Sequence, residues 1–267
     1  MTACRMSGQQ DHGRDDLRSA IVTFSAGSSS RSIVAVATGV ATAAVPQPGR
    51  HGVDFIVTGT FCTPRLFNAG AIDVDATLTF YSQSGGTPAV ANLTVPAGEV
   101  RQFDKVLASV FGMANDGGAI HVSTATPSRF VATARTYNQT SAGTYGQFIS
   151  GVTPNEATGV GARPLQILQV EETNRFRSNI GLAEVSGNPV KLEIAVVPPD
   201  AKFTIVTEVQ LQANEFRQIG SLLKSVGLQD TYNARVSVRA IEGSGRVTAY
   251  ASVIDMLTND PTYVPAQ

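Results

Sequence analysis

The chain has 267 residues, of which only 15% are charged, against about 25% in an average soluble domain. Its formal net charge of −1 excludes the strongly basic surface with which nucleic-acid binders displace counterions from phosphates. A content of 30 Val, 26 Thr, 25 Gly and 13 Pro with no Trp excludes a helical bundle or coiled coil. β-branched side chains suit a pleated sheet, and Gly and Pro supply its turns.

In chain order, residues 1–31 are polar and rich in Ser, Gly and Asp, and read as a flexible leader. In residues 32–45, Ile33, Val34 and Val36 predict a first strand. Two other readings of this stretch are a strand donated to a neighbour's sheet edge and a hidden export signal. Ala41-Thr42-Ala43 would be the small-residue cleavage site. No stretch reaches the ~18 apolar residues of a membrane span, so no transmembrane segment is expected.

Further along, the period is two. Val74, Ala76, Leu78 and Phe80 alternate with Asp75, Thr77 and Thr79, and Val190, Leu192, Ile194 and Val196 alternate with Lys191, Glu193 and Ala195. Such alternation marks strands with one buried and one wet face. Ile120 and Val122, Thr204 to Leu211, and Val236 and Val238 add further strands. Turns fall at Ser84-Gly85-Gly86, Asn115 to Gly118 and Gly243-Ser244-Gly245. This spacing predicts antiparallel sandwiches rather than βαβ units.

An internal duplication organises these elements. Glu99-Val100-Arg101-Gln102-Phe103 recurs 116 residues later as Glu215-Phe216-Arg217-Gln218-Ile219. Residues 106–113 match 221–228, Phe61 to Asn68 aligns with Phe176 to Ala183, and Phe148-Ile149 aligns with Tyr263-Val264. Each copy interrupts its strands once. Phe103, Val106, Leu107, Val110 and Phe111, and again Ile219, Leu222, Leu223 and Val226, have helical spacing. They predict a short amphipathic helix that plugs the sandwich, with Asp104 as N-cap and Gly112 or Gly227 as its end. The expected fold is therefore all-β: two tandem Ig-like or jelly-roll-like antiparallel β-sandwich domains, each with one short α-helix. The leader covers 1–31, domain 1 covers 32–152, a Gly- and Pro-rich linker covers 153–162, and domain 2 covers 163–267.

Residues capable of chemistry are sparse. His12, His51 and His121 have no partner at ligand or triad spacing, and His121 is expected to point outward from its strand. Cys4 and Cys62 match no zinc or redox motif; one terminal thiol and one buried strand thiol are expected. The carboxylates around Asp73, Asp116, Asp255 and Asp260 read as Asx turns rather than calcium loops. Glu99 and Arg101, like Glu215 and Arg217, share a strand face and form a scaffold ion pair. No catalytic, cofactor-binding or metal-binding residue is assigned, no cofactor is expected, and the chain reads as a non-enzyme. The candidate binding residues are aromatic: Tyr137, Tyr145, Phe148, Tyr250 and Tyr263. Exposed, they would stack on sugars or anchor a protein partner; buried, they are corner and core residues, which is the plainer expectation.

Phe176-Arg177-Ser178-Asn179, Ala251 to Asp255 and Asp260-Pro261-Thr262-Tyr263-Val264-Pro265 stand in the second copy. The first has Pro96-Ala97-Gly98, Arg135-Thr136-Tyr137-Asn138 and Gly143 to Phe148. With these motifs the chain resembles exported bacterial tandem β-sandwich repeat proteins over about residues 32–267. Phe61-Cys62-Thr63-Pro64 departs from the pattern. The resemblance implies an extracellular or cell-surface location and a non-catalytic role, and supplies no site residues. The leading expectation is adhesion or binding to a glycan or protein. The alternative is a self-assembling subunit of a filament, sheath or surface layer, with N-terminal strand donation as one route.

Overall fold

The computed structural model describes residues 20–26, 29–35, 52–58, 61–113, 116–124, 130–141, 143–153, 156–200 and 202–267. Cys4, His12, His51, Val36 and the Ala41-Thr42-Ala43 site lie outside the described residues. The chain divides into two compact units, Met1–Pro48 and Gly49–Gln267. In the first, β1 (Ala20–Ala26) pairs antiparallel with β2 (Ser29–Ala35). Strand structure thus begins inside the stretch expected to be a leader. The strand expected around Ile33 and Val34 pairs with β1 rather than opening a sandwich.

The second unit starts with β3 (Gly52–Thr58), β4 (Phe61–Asn68), β5 (Val74–Ser82), β6 (Ala89–Val95) and β7 (Val100–Gln102). A single helical turn α1 (Val106–Ser109) follows, then β8 (Gly117–Thr124), β9 (Phe130–Thr140) and β10 (Gly143–Ser150). The second half continues with β11 (Leu165–Glu172), β12 (Phe176–Glu184), β13 (Val190–Val197), β14 (Ile205–Leu211) and β15 (Phe216–Ile219). It closes with α2 (Leu222–Ser225), β16 (Thr231–Gly243), β17 (Val247–Asp255) and β18 (Pro261–Pro265). The sheets are β3-β8-β5-β6 and β10-β9-β4-β7 in the first half, and β11-β16-β13-β14 and β18-β17-β12-β15 in the second. Strand by strand, the two halves have the same order. All these pairings are antiparallel. No helix among the described residues is long and apolar enough to cross a membrane.

The alternation read from the sequence positions the cores. Val74, Ala76, Leu78 and Phe80 are buried along β5, and the last three share one core with Leu66 and Ala132 of the facing sheet. Val190, Leu192, Ile194 and Val196 do the same against Ile180 and Leu182. Burying one such large side chain contributes about 1.5–3 kcal/mol. The expected strand thiol is there: Cys62 is free and buried, and desolvation pushes its pKa up to about 12.

The helices are shorter than the spacing predicts, and Asp104 is not an N-cap. Each turn is entered through a left-handed residue with no side-chain cap, Lys105 (φ 50°) or Ser221 (φ 45°). Val106 and Leu107, like Leu222 and Leu223, are buried. The chain then leaves the helix through Gly112 (φ 66°) or Gly227 (φ 86°), as expected. One turn suffices because the apolar residues after it pack without helical backbone.

A second correction concerns β4 and β12. Asn68 N–H donates to the Glu99 carbonyl, and Glu184 N–H donates to that of Glu215. Asn68 therefore corresponds to Glu184, not Ala183, which places Leu66 beside Leu182. A one-residue slip of this kind moves every side chain to the opposite face. Both corresponding residues are buried polar anchors. Asn68 Nδ2 donates to the carbonyls of Ile72 (2.8 Å) and Val95 (3.0 Å). The Glu184 carboxylate accepts the N–H groups of Ser186, Gly187, Asn214 and Arg246 at 2.7–3.2 Å.

Candidate functional site

The halves meet on one face of the β18-β17-β12-β15 sheet. Its inner face sends Ile180, Leu182, Ala249 and Ala251 into the second core. Its outer face carries Ala183, Phe216 and Tyr250, which are buried in one cluster with Leu66, Ile120 and Ile149 of the first half. The Tyr250 ring lies over Gly181, its cross-strand neighbour, and a Cβ at that glycine would overlap the ring. Tyr263 stacks on Tyr250, with centroids 5.3 Å apart, and is hydrogen-bonded to Ser150 of β10. Burial raises the pKa of both phenols.

Polar contacts fix the same junction. Gly146 N–H donates to Asp260 Oδ1 at 3.1 Å, and Ser252 Oγ donates to Gln147 Oε1 at 3.0 Å. His121, expected to face outward, is buried. Ile120 and Val122 on either side face the first core, and β15 approaches β8 from the second half. The expected linker is also tied down. Thr158 and Val247 exchange both backbone hydrogen bonds, and Arg246 Nη2 donates to the Ala157 carbonyl.

The corresponding face of the first half exposes apolar side chains, although Thr63 on it is buried and Ser150 at its β10 border bonds Tyr263. Val100, Phe67 and Val131 are cross-strand partners and share the outer face of β10-β9-β4-β7. Gln102, Arg65, Thr133 and Ser150 form the next row on that face, Arg135 and Phe148 a pair in the row beyond it, and Tyr137 and Gly146 another. Val100 is 55% exposed, Val131 51% and Phe148 58%, while Phe67 and Tyr137 are half-buried. The Arg135 guanidinium lies 4.9 Å from the Tyr137 ring centre and donates to Thr144 Oγ1. By strand register, Val100 corresponds to the buried Phe216, and Phe148 to Tyr263. Thr133 corresponds to Tyr250, and Arg65 to Gly181.

The structure thus divides the five aromatic candidates. Tyr137 and Phe148 share the open face. Tyr250 and Tyr263 stack within the junction. Tyr145 partners Asn138 on the opposite face from Phe148. Val100, Phe67 and Val131 went unnoticed in the sequence. The signal for two of them is a phase error: Phe67 and Val131 are apolar at outward positions, next to the inward Leu66 and Ala132.

Other polar groups have structural employment. Asp73 accepts Ala97 N–H, Asp75 accepts the Thr94 hydroxyl, and Asp255 accepts Leu257 N–H. Arg217 pairs with Glu215, as the shared strand face predicts. Among the described residues, no three His, Cys, Asp or Glu side chains group to hold a metal ion. A cleft of about 520 Å³ lies between β6 and α1, lined by Asn92, Leu93, Gln102, Phe103, Asp104 and Val110 among others. Its polar atoms already bond one another or the strands: Thr77 Oγ1 donates to Asn92, and Gln102 Nε2 to Asp104. Glu172 is buried, with Oε2 unpartnered. Desolvation raises its pKa against the opposing effects of Ser178, Ser221, Lys224 and Arg177. No family model, curated protein or solved structure matches the chain.

Proposed function

We propose that this chain is a non-catalytic binding protein made of two tandem β-sandwich copies, and that it engages a protein partner through the outer face of β10-β9-β4-β7. One observation carries the reading: Val100, Val131 and Phe148 are exposed where the second half has a covered apolar face. A row of apolar residues, Val100, Phe67 and Val131, with Phe148 two rows away and Arg65 and Arg135 between and beside them, fits a protein surface, in which an aromatic anchor and Arg dominate binding. Adhesion at a cell surface, as the resemblance implies, is the setting in which such a face would work.

The test uses peptide-displaying phage selected on the immobilised full chain, with a glycan array in parallel. The expected result is apolar peptides whose binding is lost on Phe148→Asp and retained on Val206→Asp, a change at an exposed position on β14. Binders indifferent to Phe148→Asp contradict the proposal. Glycan signals that depend on Tyr137, with no Phe148-dependent peptides, favour sugar recognition instead.

A further inference from the structure

We propose that β6 is a docking edge separate from the face above, and that an extended segment of another protein, apolar at alternate positions and carrying Lys or Arg, adds to it as a fifth strand of β3-β8-β5-β6. β6 is the last strand of that sheet, and its ladder runs on one side only, with β5. A strand so placed directs alternate N–H and C=O groups outward, where a new chain can pair with them. Proteins guard such edges with charges, Pro or a bulge within the strand. Ala89–Val95 has none of these: it is uncharged, and its register with β5 runs unbroken from Val74 and Val95 to Phe80 and Ala89. Val90 is 60% exposed. Asn92 accepts from Thr77 Oγ1 and Thr94 donates to Asp75, both on β5, so these two side chains turn toward the sheet and leave the edge bare. The corresponding edge of the second half, β14, is guarded. Glu208 stands where β6 has Asn92, and it pairs with Lys191 at 2.7 Å.

The cleft beside this edge is the second observation. Ala91 and Leu93 lie on the inner face of β6 but are only half-buried. At this border the opposite sheet supplies only the three residues of β7, followed by the single turn of α1. The cleft left between them has Ala91, Leu93, Phe103 and Val110 as its apolar wall. A strand added to β6 lays every second side chain over that wall, so that backbone pairing holds the segment and the cleft selects apolar residues.

Charge completes the description of the occupant. Between Arg65 and Arg101 the sequence has no Lys, Arg or His, but it has Asp73, Asp75 and Glu99. Asp104 lines the cleft, and among the described residues its carboxylate bonds only the neutral side-chain amide of Gln102. A cationic side chain of the added strand would meet Asp104 with no competing base from β5 or β6.

The test selects a random-peptide phage library on the immobilised full chain carrying Phe148→Asp, which removes the face proposed above from the assay. The enriched peptides are expected to alternate apolar residues and to carry Lys or Arg. A synthetic copy of one, measured by calorimetry, should bind at least about tenfold more weakly when N-methylated on one set of alternate amides and unchanged on the other set. Ala91→Leu, which fills the cleft, should weaken it too. Asp104→Asn should weaken the Lys- or Arg-bearing peptide and leave its norleucine form unaffected. Hydrogen exchange in the complex should slow at alternate amides of Ala89–Val95 and not on β14. In a selection on the parent chain, binders indifferent to Phe148→Asp but lost on Ala91→Leu belong to this edge; only binders indifferent to both count against the outer face. No enrichment, or peptides that tolerate both N-methylated sets, overturns the edge as a docking site. Protection of β6 amides that rises with concentration in the peptide-free chain shows a second copy pairing there and overturns the peptide as occupant.

Discussion

Gly181 and Arg65 occupy corresponding positions on corresponding strands, and they differ because one face is covered and the other is not. Over Gly181 lies the Tyr250 ring, and any Cβ would overlap it. Arg65 instead extends across an open face and donates from Nε to Gln102 Oε1 at 2.9 Å. Gly181→Ala should cost about 1–3 kcal/mol by overpacking, whereas Arg65→Ala should stay within about 0.5 kcal/mol. Urea unfolding midpoints check both, and equal effects would contradict the assignment of covered and open faces. Glu172 gives a second residue-scale prediction. Its raised pKa means that the folded chain holds this proton to higher pH than the unfolded chain does. The neutral form's contribution is complete below the ordinary Glu value of about 4.3, and it is lost as pH rises through the raised folded value. Glu172→Gln should therefore be more stable than the parent at neutral pH, with the gain vanishing in acid. Unfolding measured across a pH series decides it; a parent more stable at neutral pH contradicts it.

At the scale of elements, strands were legible because one buried face imposes period two on them. Val74 to Phe80 and Val190 to Val196 run inward in the structure as the sequence indicates. Register was less legible. Matching Phe61 to Phe176 aligns two similar residues but places β4 and β12 one residue out of phase. The backbone bonds of Asn68 and Glu184 correct it. The helices were overlong in the sequence reading because i, i+3, i+4 spacing also describes one turn followed by packed coil. The open face escaped notice because sequence periodicity reports which residues turn inward within a sandwich, not what another sandwich covers. Glu184 carries the element-scale prediction. Its carboxylate joins the end of β12 to the turns before β13 and β15 and to the start of β17. Each donor left buried without a partner costs about 1–3 kcal/mol. Glu184→Ala should lower Tm and speed hydrogen exchange at Ser186, Gly187, Asn214 and Arg246 together. Unchanged exchange at those four amides would contradict its role.

At the scale of the molecule, low charge and abundant Val and Thr serve two sheet pairs with the same strand order, together with a junction between them. The junction joins side chains of both halves into one apolar cluster, which is why residues 49–267 form one compact unit. The central claim is that corresponding sheet faces have opposite fates: one is sealed inside the chain, and the other, proposed above to bind, leaves Val100, Val131 and Phe148 exposed. Hydroxyl-radical footprinting of the full chain at the lowest workable concentration tests it most directly. The account predicts strong oxidation of Phe148 and protection of Tyr250. Oxidation of Tyr250 to the same extent as Phe148, or protection of Phe148 in the dilute monomer, would contradict it.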